Sequence, residues 1–185
     1  MTRNRLFVAL ALAVTLALGF LGYRTYLLRY GDAQLAAHYY PDVPVMLPAN
    51  DTTNYYAGLS WLREDGYPQA TAALNQVPRT DPDYPSAQYY AGHAYYRNGQ
   101  LNAAMTALQN VTDLGPSTVR EDAEWLLALT YLRAGRTERN FFGVLGRIAE
   151  QENHRHHAAG RALAADFRSP WRTRWEALAY GRGAY

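Results

Sequence analysis

By type and spacing, the side chains best suited to chemistry are three neighbouring histidines, His154, His156 and His157, because imidazole nitrogens ligate zinc and move protons near neutral pH. His154 and His157 fall on one helical face. Zinc needs three or four converging ligands with an ordered second shell, and no cysteine or well-spaced carboxylate pair completes a set here. A solvated helix start is the better account of the three. No Ser-His-Asp grouping, glycine-rich phosphate loop or pair of catalytic carboxylates can be read elsewhere in the chain. The expectation is therefore no metal, no cofactor and no enzyme, and a hydrolase is disfavoured.

The other reactive inventory is cationic and aromatic. All 18 basic residues are arginine, and 16 tyrosines accompany them. Residues 1 to 29 carry four Arg and no acid, residues 30 to 132 four Arg against eleven acids, and residues 133 to 185 ten Arg against five acids. Split this way, the net charge of +2 gives no nucleic-acid surface to the acidic middle. The basic last third could face anionic lipid or an acidic partner, but a solvated Arg-rich cap accounts for it better. The absence of cysteine excludes disulfides without fixing a compartment.

What must position these residues is an internal repeat. Tyr55, Tyr56, Ala57, Gly58, Arg63, Ala70, Ala73, Leu74 and Val77 recur 34 positions later as Tyr89, Tyr90, Ala91, Gly92, Arg97, Ala104, Ala107, Leu108 and Val111. A period of this length marks helical hairpins that bury their apolar faces only by stacking on one another. Gly58 with Ala70, and Gly92 with Ala104, put small residues where two antiparallel helices cross. Gly58, Trp61, Gly66, Ala70, Leu74 and Pro82, then Gly92, Tyr95, Gly99, Ala104, Leu108 and Pro116, resemble the tetratricopeptide repeat, or TPR. A third unit matches at Ala128, Tyr131 and Gly135, but Asn140 stands where alanine is expected, and two extra residues follow Pro116.

The resemblance implies an all-α, TPR-type α-solenoid of about three hairpins over residues 51–168, with repeats near 51–84, 85–118 and 121–152 and a capping helix over 154–167. It also implies a groove lined by the first helices of successive repeats. Carried over by register, the groove positions are Tyr55, Leu59, Leu62 and Arg63, then Tyr89, His93, Tyr96 and Arg97, then Trp125, Leu129, Leu132 and Arg133. Within each hairpin their spacing keeps them on one helical face. An aromatic groove with an arginine ladder implies a protein or peptide partner with an acidic or C-terminal segment, and hence a scaffold or adaptor. The competing expectation is a structural or assembly subunit whose groove is filled by its own tail, with Trp171 and Trp175 as plugs, or by self-association into a homo-oligomer.

The flanks complete the expectation. From Leu6 to Tyr23 the chain has no charge, and at 1.5 Å per residue that run spans roughly 27 Å. It predicts one transmembrane helix over 6–28 after a short tail, 1–5, with Tyr23, Tyr26 and Tyr30 as an aromatic belt. No small-x-small site follows the apolar core, so an anchor is favoured over a cleaved signal peptide. Residues 29–50 read as a juxtamembrane linker into which helix continues through Leu35 and Ala36 until Tyr39-Tyr40-Pro41 breaks it, with Asn50 or Asp51 as N-cap of the first repeat helix. Thr118 and Glu121 have capping-box spacing, and residues 169–185 form a tail. With the Arg147 to Glu150 segment, the whole looks like small membrane-tethered repeat proteins of bacterial envelopes, particularly Bacteroidota. That likeness implies a single-pass inner-membrane protein with a periplasmic repeat domain.

Overall fold

The computed structural model describes residues 2–29, 31–43, 45, 53–169 and 172. Among these every regular element is helical: α1 (Thr2–Arg29), α2 (Asp32–His38), α3 (Asn54–Arg63), α4 (Tyr67–Leu74), α5 (Tyr84–Arg97), α6 (Leu101–Asp113), α7 (Arg120–Arg133), α8 (Arg139–Glu150) and α9 (His157–Phe167). Helices α3 to α8 pair as successive hairpins, each packed on the next, and α9 covers α8. This is a helical-repeat architecture compatible with an α-solenoid.

The small residues do the packing work that their spacing suggests. A Cβ on Gly92 would lie 2.7 Å from Leu108 Cδ2, and one on Gly58 would collide with Leu74, so each glycine is the socket for a leucine of the second helix. At the far end Gly160 of α9 takes Ile148 of α8 in the same way. These leucines and the isoleucine are fully buried. Close backbone approach is possible only because nothing larger stands there.

Each hairpin turn is closed by the same pair of backbone hydrogen bonds. Gly66, Gln100 and Arg136 donate to the carbonyls of Trp61, Tyr95 and Tyr131 at 2.8, 2.9 and 2.9 Å, while Asp65, Gly99 and Gly135 donate to Leu62, Tyr96 and Leu132. This is the Schellman arrangement, and it places the residue after the C-cap in the left-handed region. Gly99 and Gly135 occupy it at φ 75° and 66°, and Asp65 occupies it at φ 56°. The left-handed residue of the first turn is thus Asp65 and not Gly66, one position earlier than the glycine match suggested. Aspartate tolerates the conformation better than most side chains.

Two helix starts differ from expectation. The N-cap of α3 is Thr53, and Asn50 and Asp51 lie outside the described residues. Helix α7 starts after Val119 with no side-chain cap, because the Glu121 carboxylate instead accepts the Arg155 backbone N–H at 2.8 Å.

The N-terminal expectations need three corrections. Residues 29–50 are not only linker, since α2 lies within them and buries Leu35 and Ala36 in the main core. Among the described residues, moreover, no helix is long and apolar enough to cross a membrane. This overturns the transmembrane helix over 6–28, and with it the single-pass inner-membrane placement and the periplasmic assignment that rested on it. The described large apolar side chains of α1, Phe7 and Leu16 among them, are exposed. Residues 2–5 are no separate tail either, because α1 begins at Thr2.

Candidate peptide-binding face

The first helices of the hairpins, α3, α5 and α7, present the positions that the register assigns to a groove. Their surroundings divide the face in two. Toward α7 it is covered by the chain itself: α2 packs on α7, and the extended residues after it run over α5. Trp125, Leu129, Leu132, Tyr89, His93 and Tyr96 are consequently buried, Trp125 to 1% exposure. Toward α3 the face is more open. Tyr55 is half-buried against Tyr90, Arg63 and Arg97 are exposed, and Leu59 and Leu62 lie beneath.

The covering segment is held mainly by aromatic rings. Tyr40 stacks on Tyr96 with centroids 4.7 Å apart and lies 5.5 Å from the His93 ring. Tyr39 meets Trp125 edge-on and donates its hydroxyl to Asp166 of α9 at 2.7 Å. At the other end of α2, Asp32 pairs with Arg172, a buried arginine whose guanidinium also sits 3.7 Å over the Phe167 ring. Residues up to 140 positions apart are thus joined across this face. Burial, reinforced by the bond to Asp166, pushes the Tyr39 hydroxyl up to about 12. Burial raises Tyr40 as well.

His93 is the titratable group most altered by the arrangement. Burial first, and the neighbouring Arg97 second, lower it from 6.5 to about 4, so it is neutral at physiological pH. Its Nδ1 and the Tyr40 hydroxyl are both buried without a hydrogen-bond partner among the described residues.

The three arginines of the expected ladder have separate fates. Arg133 donates to the Tyr96 carbonyl at 2.6 Å and lies 4.6 Å over the Tyr96 ring, so it clamps α7 to α5. Arg97 sits 6.0 Å from the Tyr40 ring and 5.4 Å from that of Tyr67, with Asp65 at 3.7 Å. Arg63 and Arg97 both line a cleft of about 550 Å³, bounded by Tyr40 to Val43 on one side and by Leu62, Asp65 and Tyr67 on the other. The structure therefore brings two of the three arginines to one opening and withdraws the third into packing.

The histidines are structural in their surroundings. His156 stacks flat on Trp125 and bonds Asp122 at 2.7 Å, while buried His154 stands 3.5 Å from Glu124 without hydrogen-bond alignment. Arg155 pairs with the same Asp122. Among the described residues no group of three or more His, Cys, Asp or Glu is arranged to hold a metal ion.

What the register missed is the covering segment. Tyr39, Tyr40 and Leu35 are as much part of this face as the residues beneath them, and the available signals were the helical Leu35 and Ala36, read as a continuation of the first helix, and the pair of tyrosines before Pro41. No family model, curated protein or solved structure matches the chain.

Proposed function

We propose that this chain is a TPR-type protein-binding scaffold. Its accessible recognition surface is the cleft between α3, α5 and the residues that follow α2. The observation carrying the reading is the pairing of Arg63 and Arg97. They occupy equivalent positions in successive repeats, converge on one opening of about 550 Å³, and stand over the apolar side chains Leu62, Val43 and Val45. Arg97 is preoriented by two tyrosine rings, which lowers the ordering cost of presenting a guanidinium to a carboxylate. The ligand that fits is an acidic protein segment with apolar neighbours. Recognition of this kind requires no cofactor and no catalytic group.

In-cell crosslinking followed by partner identification supplies the test protein, and recovery of that partner is then compared between wild type and Arg63→Glu plus Arg97→Glu. Loss of the partner in the double variant, with thermal stability retained, is expected. Undiminished recovery overturns the arginine cleft.

The second reading, a structural or assembly subunit whose own chain fills the groove, draws support from α2 and its extension on α5 and α7. Trp171 and Trp175, the plugs this reading expected, lie outside the described residues; the described segment that covers the face, residues 32–43, is N-terminal to the repeats. Concentration-dependent oligomerisation in sedimentation, with no partner recovered in cells, would favour this reading over the scaffold.

A further inference from the structure

From the contacts of residues 32–43 we infer that they are an intramolecular ligand. The α5/α7 face is a receptor for a short helix followed by an extended Tyr-Tyr-Pro segment, and in this chain that receptor is occupied in cis. The inference rests on the scaffold reading and adds a regulation to it, since a partner using the covered half of the groove must displace the strap.

Three observations carry the inference. The strap is a separate seven-residue helix, Asp32–His38, whose deeply buried side chains are Leu35 and Ala36. Helices this short are marginal alone and form when a surface receives them, as a bound peptide does. Its remaining grip is aromatic and polar, through Tyr39 to Trp125 and Asp166, Tyr40 to Tyr96, and Asp32 to Arg172. Finally, the seam is imperfectly matched: the Tyr40 hydroxyl and His93 Nδ1 are buried within it and unpaired among the described residues. Buried polar groups left unpaired weaken an interface, so a competing segment that satisfies them gains an advantage over the resident one. Covalent attachment compensates, because a tethered ligand acts at an effective concentration in the millimolar range.

The test uses the full chain and a fluorescently labelled synthetic peptide of residues 31–45. Fluorescence anisotropy should show saturable binding to Tyr39→Ala plus Tyr40→Ala and at least about tenfold weaker binding to wild type, where the tethered copy competes. A peptide carrying the same two alanines should not bind the variant. If the double variant proves unfolded, Asp32→Asn plus Tyr39→Phe removes the two polar ties while keeping the packing, and the same peptide titration applies. Hydrogen exchange on wild type gives an independent reading, since backbone amides of α2 should exchange well ahead of those of α7 through local opening. Failure of the peptide to bind folded released protein, or equal exchange in α2 and α7, overturns the strap. Loss of partner recovery from wild type and released protein alike would instead count against the scaffold reading itself.

Discussion

The covered and open halves of the first-helix face are built from the same repeat positions, yet one is core and the other is surface. Tyr89 and Tyr96 on α5 and Trp125 on α7 are buried, whereas Tyr55, which corresponds to Tyr89, is half-buried. Arg133 is drawn into packing on Tyr96, while Arg63 is exposed. Register settles which residues look the same way. What lies across from them settles whether that direction is interior or solvent, and here α2 and Tyr39 to Val43 are the deciding neighbours.

The comparison is broken most forcefully by truncating an aromatic in each half. Trp125→Ala should lower stability by roughly 3 to 5 kcal/mol, because it empties a fully enclosed space. Tyr55→Ala, at the less covered end, should cost well under half of that. Equal losses in chemical denaturation would show that the halves do not differ as described.

His93 sharpens the contrast through pH. Its folded value near 4 lies below its ordinary 6.5, so its neutral form stabilises the fold fully above about 6.5, and that contribution drains away as pH falls toward 4. The total is on the order of 3 kcal/mol. His93→Gln should flatten this limb in denaturation curves recorded between pH 7 and 4. At the corresponding position α3 carries Leu59, which has nothing to titrate.

The smallest expected difference is between two arginines. Arg133→Gln should cost about 1 to 2 kcal/mol, since its bond to the Tyr96 carbonyl is charge-assisted and partly buried. Arg63→Gln should change stability by less than about 0.5 kcal/mol, as surface substitutions do. A measurable destabilisation at Arg63 would place that side chain in structure rather than in recognition.

Hairpins were legible because the signals that specify them are local and repeated: glycine sockets for Leu74 and Leu108, and turn glycines at Gly99 and Gly135, with only the first turn misplaced by one residue at Asp65. The helix through Leu35 and Ala36 and its break at Tyr39 were legible, but its docking as a strap was not, because its partners, Trp125, Asp166 and Arg172, stand far along the sequence. Register puts the groove positions on one side of each first helix but cannot tell a lining from a core, since both call for aromatics. The apolar opening of the chain was read by composition as a bilayer span, a reading the described helices do not sustain.

The ties from Asp32 to Arg172 and from Tyr39 to Asp166 have a consequence for biogenesis. A stack of hairpins touching only their neighbours can fold piece by piece as it leaves the ribosome. This molecule must hold α2 and Tyr39 in waiting until α9 and Arg172 have been synthesised, so a late step of folding closes a loop 140 positions long.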